Sequence, residues 1–270
     1  MSFIEKILIE KKKLRSSLFK VTCSIFDKIS HKLFGNRKLT SYNINNTTKI
    51  DESNLITLHI LRHSESLVNV HLREKKINLH KALLNHDPGF VDSNLSEEGT
   101  NEAIKFGENG GPMYKGKPLI ERSSLMLCSN LIRAMETLKH ISKRAPKDCE
   151  YYVLDELREK ALFLSDTPIY DKNEIKEKYP QFDVSSLPED KVKVNIPESN
   201  EELETRINNL KKFLINYNFG NKNNEVIIVS HLFFIKSLLK KSLFWELPNL
   251  GLCTVKLDRK TGDILEFESK

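Results

Sequence analysis

The chain has 270 residues, 39% hydrophobic and 30% charged, enough for one sizeable core or for one domain carrying an extension. No stretch approaches the roughly 18–20 uncharged apolar residues of a membrane-spanning helix. Four scattered cysteines, Cys23, Cys128, Cys149 and Cys253, make no CxxC pair; this argues against a disulfide framework or a cysteine-based zinc site and fits a reducing, cytoplasmic setting.

The net charge of +6 is uneven, because residues 1–50 hold eleven Lys or Arg against three acids while the remainder is slightly acidic. Between Ser2 and Phe34 there is no glycine or proline, and Ile4, Leu8, Leu14, Leu18, Val21, Ile25, Phe26 and Ile29 recur at roughly helical spacing among lysines. The pattern predicts one or two basic amphipathic helices. Glu5 and Glu10 argue against a mitochondrial presequence, and no signal-peptide apolar region is visible. Such a face over residues 1–34 can meet a membrane surface or a protein partner, dock on the protein's own core, or stand as a solvated lead-in; no specific nucleic acid is expected. Residues 35–54 are polar and Asn-rich and read as a linker. The expected organisation is an extension and linker over 1–54, then one domain over 55–270.

From Leu55 onward, short apolar runs alternate with amphipathic segments. Strands are expected at Leu55 to Leu61, Ser124 to Cys128, Tyr151 to Leu154, Val226 to Val229 and Leu252 to Leu257, and helices at Glu97 to Phe106, Leu131 to Ser142, Asn200 to Tyr217 and Leu232 to Lys241. The runs LITLHIL and VIIV lack polar alternation, as strands covered on both faces do, and the αβ alternation predicts a mainly parallel sheet. Sites in such sheets lie beyond the carboxyl ends of the strands.

That is where the chemistry-bearing residues fall. LRHSESLVN, Leu61 to Asn69, places Arg62 and His63 at the end of the first run. An imidazole beside a fixed guanidinium can attack phosphorus while the arginine neutralises the phosphate oxygens. CSNLIRAMETL runs from a strand end into a helix that Ser129 or Asn130 can cap, with Arg133 in its first turn. VIIVSH puts His231 directly after a strand, and LDELREK supplies two candidate acids, Glu156 and Glu159.

The order LRHSESLVN, SNLSEEGTNEA, CSNLIRAMETL, ELREK, ESNEELETR and VIIVSH resembles the histidine phosphatase superfamily on its phosphoglycerate mutase-like branch, over roughly residues 55–260. The fold this implies is α/β, a three-layer αβα sandwich with a mainly parallel central sheet. The roles it implies are His63 as nucleophile forming a phosphohistidine, with Arg62, Arg133 and His231 lining a phosphate pocket that Asn69 also reaches. Glu159, in an LRE-like tripeptide, would be the general acid and is favoured over Glu156. His231 counts among the catalytic residues as well. Ser64 and Leu232 stand where the family usually has glycine and a small residue. Ser64 could shift the loop or add a hydroxyl donor to the phosphate, and Glu198 and Ser199, in place of a GES motif, are expected to contact substrate. Mutases of this branch follow the acid with a stretch like NERHYG, which ELREKALFLSDTP lacks, so hydrolysis of a phosphorylated metabolite or phosphoprotein is preferred to mutase-type phosphotransfer. A catalytically silent phosphate-binding scaffold, recruited through the basic helix, is the alternative of a different class. No metal and no cofactor are expected.

Other patterns read blandly. His59 and His63 have a zinc-like spacing only on a helix, and this segment reads as a strand. Ser64, Ser129 and Ser230 lack a GxSxG elbow. His71, His80 and His86 read as surface or rim residues, and Arg73, Lys75 and Lys76 as a solvated face. Residues 160–199, with four of the nine prolines, are expected to be an irregular insertion near the site that can act as a lid.

Overall fold

The computed structural model describes residues 54–75, 89–220, 222–242 and 245–269. The helices expected over 2–34, nearly all of the linker over 35–54, and His80 and His86 lie outside the described residues. In chain order the elements are β1 (Leu55–Arg62), α1 (Leu67–Glu74), α2 (Glu97–Asn109), β2 (Met113–Tyr114), β3 (Lys117–Pro118), β4 (Leu125–Ser129) and α3 (Ile132–Ile141). There follow β5 (Glu150–Leu154), α4 (Lys172–Lys178), α5 (Asn200–Asn216), β6 (Glu225–Ser230), α6 (Leu232–Leu238), β7 (Leu252–Asp258) and β8 (Ile264–Ser269).

Six strands form one sheet in the order β5-β4-β6-β1-β7-β8, and β2 and β3 form a separate hairpin. β5, β4, β6 and β1 are parallel; β7 runs antiparallel to β1, and β8 antiparallel to β7. The uninterrupted apolar runs of β1 and β6 are explained by their central position. Alternate residues point to opposite faces: Ile56, Leu58 and Ile60 pack with Val226 and Ile228 against α5 and α6, through Leu210, Leu214, Phe234 and Ile235. Leu61, Met126, Cys128, Ile227 and Val229 pack on the other face against Met135, Leu138 and Ile141 of α3. The result is three layers. No helix among the described residues is long and apolar enough to cross a membrane. Cys128, Cys149 and Cys253 are free and buried.

Register brings the strand ends level. Arg62 pairs with Ser230, Cys128 with Val229, and Ser129 with Leu154, so the segments after β1, β4, β5 and β6 all emerge at one edge of the sheet. The second motif serves the same edge. Ser96 caps α2 by accepting the Gly99 N–H at 3.0 Å, and a Cβ at Gly99 would fall 2.0 Å from the Glu65 carbonyl oxygen. Glycine at that position allows α2 to lie against the loop that carries His63.

The segment 160–199 is largely irregular, as expected, but carries one short helix and also packs into the core. Asp171 caps α4 with Glu174 in a capping box, and Ile175, Tyr179, Phe182, Val184 and Leu187 are buried in the core of the α3 face. Asp183 exchanges backbone hydrogen bonds with Tyr151 and Val153, at 2.7 and 2.9 Å, which covers the open edge of β5. Apolar residues spaced irregularly along sequence still find one core when the chain wraps a sheet edge.

Candidate active site

β1 closes on Arg62, and the chain then leaves the sheet with the His63 N–H donating to the Ser230 carbonyl at 2.9 Å. His63 is buried, and its Nδ1 lies 2.6 Å from the Ser64 carbonyl oxygen. A carbonyl only accepts, so the proton belongs on Nδ1 and the lone pair on Nε2. Burial first, then the charges of Arg133 and Arg62, hold the His63 pKa well below its usual value, against the pull of the Ser64 carbonyl. The ring is neutral, with Nε2 ready as a nucleophile.

His231 follows β6 directly, its ring centroid 5.0 Å from that of His63. Burial, then Arg133, His63 and Arg62, hold it neutral as well. Arg62 donates from Nη1 to the Leu247 carbonyl at 2.8 Å, and Arg133 donates to the Ser165 carbonyl at 2.6 Å and to Asp166 Oδ1 at 3.0 Å. The Nε atoms of both arginines and both ring nitrogens of His231 are buried without a protein hydrogen-bond partner. A buried group left unpaired costs about 1–3 kcal/mol. Several of them beside one neutral imidazole make a site that an anion rich in acceptor oxygens completes.

Arg133 is placed by a cap from far away in sequence. Neither Ser129 nor Asn130 caps α3; Asp92 Oδ1 accepts the Ile132 N–H at 2.8 Å, while its Oδ2 accepts the Ile169 N–H at 3.1 Å. Ser129 Oγ accepts the Leu131 N–H instead, and Asn130 donates to Asp155.

Glu159 is the acid that meets this cluster. Its Oε1 accepts the N–H groups of Phe234 and Lys160, both at 2.9 Å, and its Oε2 that of Phe233 at 3.2 Å, just past His231. Burial, then the charge of Asp166, push its pKa up to about 7, against Arg133 and the backbone donors. Proton binding is therefore tighter in the folded protein than in the unfolded chain. Ionising Glu159 costs stability that accumulates from the ordinary carboxylate range up to about pH 7. Glu156 is also raised by burial, but the charges around it are Asp155 and Arg206.

The family model of the histidine phosphatase superfamily (branch 1) matches residues 58–269. The chain belongs to this superfamily. Among solved structures it is similar to the ecdysone phosphate phosphatase of Bombyx mori in complex with tungstate, at 17% identity and a TM-score of 0.51, covering 78% of this chain and 92% of that one. It is also similar to mycobacterial glucosyl-3-phosphoglycerate phosphatase, at 18% identity and 0.48, over 80% and 97% of the two chains. The phosphoglycerate mutase of Bacillus anthracis matches at 16% identity and 0.48, over 80% and 93%. The curated proteins contain no match.

Within this member of the superfamily, the remaining residues singled out from sequence have the following places. Asn69 Oδ1 accepts from the Ser66 N–H and hydroxyl, at 3.2 and 2.9 Å, and from Asn249 at 3.3 Å, while Asn249 also donates to the His63 carbonyl at 2.9 Å. Asn69 thus braces the loop that carries His63. Ser64 is fully buried; its hydroxyl donates to the Gly99 carbonyl at 2.7 Å, and its N–H donates to Thr137 Oγ1 at 3.0 Å. Its side chain fastens the loop to α2, and neither a shifted loop nor a phosphate contact is needed to explain it. Glu198 lies in a buried network with Arg158 and Arg206, and Ser199 caps α5 in a box with Glu202. Both have structural partners. His59 directs Nδ1 to Thr254 Oγ1 at 3.1 Å and packs edge-on against Tyr114. Arg73 pairs with Glu65. Asp92, Asp166, Arg206 and Asn249 are the supporting residues that sequence patterns left unmarked; Asp166, in SDTP, was within reach as an acid close after the ELREK motif.

For Ser64→Gly we expect a loss of about 1–2 kcal/mol in stability, from the missing hydrogen bond and the added backbone freedom. Phosphatase kcat should stay within about threefold of wild type, since the hydroxyl points at Gly99. Urea unfolding and steady-state kinetics on one aryl phosphate check both halves, and a tenfold change in kcat would contradict the assignment.

Proposed function

We propose that this protein is a phosphomonoester phosphatase working through a phosphohistidine at His63. The observation that carries the reading is the neutral His63, its Nε2 free, set among the unpaired nitrogens of Arg62, Arg133 and His231. In the first step His63 Nε2 bonds to phosphorus as the ester P–O bond breaks, and Glu159 gives its proton to the leaving oxygen. Arg62, Arg133 and His231 bind the phosphoryl oxygens and hold the charge that spreads over them in the transition state. In the second step water attacks phosphorus, the P–N bond breaks, and Glu159 takes the proton from that water. A pKa near 7 suits a group that must first give and then accept a proton. Hydrolysis is preferred to mutase-type transfer because no histidine follows Glu159 within ELREKALFLSDTP. A cytoplasmic setting, with residues 1–34 meeting a membrane surface or a protein partner, completes this reading and rests on cysteine usage and charge alone.

The test is release of phosphate from aryl phosphates with and without EDTA, together with trapping of an acid-labile, alkali-stable phosphoenzyme. Activity abolished by chelation would sink the mechanism. For Glu159→Gln we expect kcat on phenyl phosphate to fall by about 10²–10⁴. The loss should be far smaller on 2,4-dinitrophenyl phosphate, whose leaving group departs without a proton. In the wild type, kcat on phenyl phosphate should decline as pH rises through about 7, the value at which Glu159 loses its proton. Equal losses on both esters would remove Glu159 from the acid's role.

A further inference from the structure

Two consecutive peptide units flank His63, and each is held at both ends. In the unit before it, the Arg62 carbonyl accepts the Leu250 N–H at 3.1 Å and the His63 N–H donates to the Ser230 carbonyl at 2.9 Å. In the unit after it, the His63 carbonyl accepts from Asn249 Nδ2 at 2.9 Å and the Ser64 N–H donates to Thr137 Oγ1 at 3.0 Å. Fixing two successive peptide planes fixes φ and ψ of the residue between them, and with them the direction in which its side chain leaves the backbone. The Ser64 carbonyl then takes Nδ1 and sets the ring. Two of the four holds come from the turn 247–251, between α6 and β7. This turn is tight: the Gly251 N–H closes on the Pro248 carbonyl at 2.9 Å, and Leu250 takes a φ of 54°, in the left-handed region that leucine rarely adopts. A bulky residue stays there only where its surroundings over-determine it, and the Leu250 side chain packs against the core of the α3 face. Two acceptors face Asn249 Nδ2, the His63 carbonyl and Asn69 Oδ1 at 3.3 Å, and the latter is itself fixed as an acceptor by the Ser66 N–H at 3.2 Å. The group turned toward them is therefore the amide NH₂.

We infer that Asn249 is a positioning residue, whose amide holds the peptide plane after His63 and so aims Nε2 along the line of attack on phosphorus. The inference deepens the phosphatase reading and rests on it. In-line displacement tolerates little error, and a misplacement of about 1 Å costs on the order of 10² in rate. The phosphate ligands do not depend on this amide. Arg62 takes the Leu247 main-chain carbonyl at 2.8 Å, which a change of the Asn249 side chain leaves in the chain, and Arg133 is held by Ser165 and Asp166. The aim of the nucleophile and the binding of phosphate are thus separable by experiment.

The experiment compares wild type, Asn249→Ala and Asn249→Asp in kcat on phenyl phosphate and in inhibition by inorganic phosphate, from acid to neutral pH. For Asn249→Ala we expect kcat to fall by about 10–10²-fold, while the inhibition constant for phosphate stays within about threefold of wild type. In Asn249→Asp the ionised carboxylate has no proton to offer either acceptor, so at neutral pH its kcat should fall at least as far. Once protonated, the new carboxyl can donate to the His63 carbonyl again. Its kcat relative to wild type at the same pH should then recover by about tenfold as pH falls through the range where that carboxyl takes its proton. A residue that merely fills the turn would give a ratio flat in pH. The inference is overturned by a flat ratio, by an Asn249→Ala kcat within about twofold of wild type, or by a loss of phosphate binding as large as the loss of turnover. Should either variant not fold, the other decides alone. A wild type inactive on every aryl ester would count against the phosphatase reading instead. The role of Asn249 is then decided by ¹⁵N NMR of the imidazole, which needs no turnover: in Asn249→Ala the His63 Nδ1–H should exchange with water about tenfold faster, and an unchanged rate overturns the inference.

Discussion

Replacing His63 by alanine should lower kcat on an aryl phosphate by about 10⁴-fold or more. The expectation follows from the position of the ring rather than from its identity alone. Nδ1 is occupied by the Ser64 carbonyl and Nε2 is the free nitrogen, while burial, then Arg133 and Arg62, keep the ring unprotonated. The other imidazole, His231, follows a different strand, and its ring plane is tilted 51° from that of His63, so it is not a ready substitute. The variant should also give no acid-labile phosphoenzyme when quenched during turnover. Binding of inorganic phosphate should persist, since Arg62, Arg133 and His231 remain, and competition with vanadate or phosphate in calorimetry measures that. If His63→Ala keeps more than a few per cent of wild-type turnover, the nucleophile lies elsewhere. If wild type and variant are both silent on a broad panel yet both bind phosphate, the chain is a binding scaffold built on this fold.

Glu198→Ala should be the most damaging of the substitutions considered for stability, at about 3–5 kcal/mol. The Glu198 carboxylate accepts from Arg206 Nε and Nη2, both at 2.7 Å, from Arg158 at 3.4 Å, and from the Ala161 N–H at 3.1 Å. Arg206 in turn donates to the carbonyls of Glu156 and Arg158, both at 2.9 Å, so the pair clamps the segment that carries Glu159 onto α5. Removing the carboxylate leaves the buried Arg206 guanidinium without its counter-charge, while Arg158 keeps Asp155 Oδ1 at 3.1 Å. Burial acts to raise the Glu198 pKa, but the hydrogen bond and charge of Arg206, with Arg158, offset this and hold the carboxylate below its usual range. An acid with a lowered folded-state pKa contributes stability that is present above its unfolded value and is lost as pH falls through the folded one. The gap between wild type and variant should therefore be full above about pH 5 and shrink in acid. Urea titrations at several pH values measure it. A gap below 1 kcal/mol at neutral pH, or one that widens in acid, would contradict the clamp. Loosening the 155–161 segment should also lower kcat, by misplacing Glu159.

Much of this arrangement was legible before any coordinates. LITLHIL and VIIV read as covered strands because burial on both faces removes polar alternation, and they proved to be neighbouring parallel strands, β1 and β6. Less visible were the edges. β7 and β8 run antiparallel, and ILEFES at β8 is a short, polar-alternating run that its own composition barely separates from a loop. The helix within 172–178 hid in a proline-bearing stretch, although its Asp171 and Glu174 form a capping box with a recognisable spacing. In the site, the family pattern marked Glu198 and Ser199, but not that Glu198 pairs with two arginines and Ser199 caps a helix.

By itself the sequence determined which residue types stand at the strand ends: Arg62 with His63 after β1, Arg133 after β4, His231 after β6, and two acids after β5. These depend on periodicity, and periodicity is a local property of the chain. Tertiary structure alone decided what each of them faces. The tautomer of His63, the choice of Glu159 for contact with the α6 backbone, the Asp92 cap on α3 and the Ser64 bond to Gly99 all pair a group with a partner from another segment or with a freely placed main-chain carbonyl. Hydrogen bonds and charges act through space over a few ångströms, and which groups come that close is set by how the layers pack, long after the pattern of apolar residues has chosen the strands.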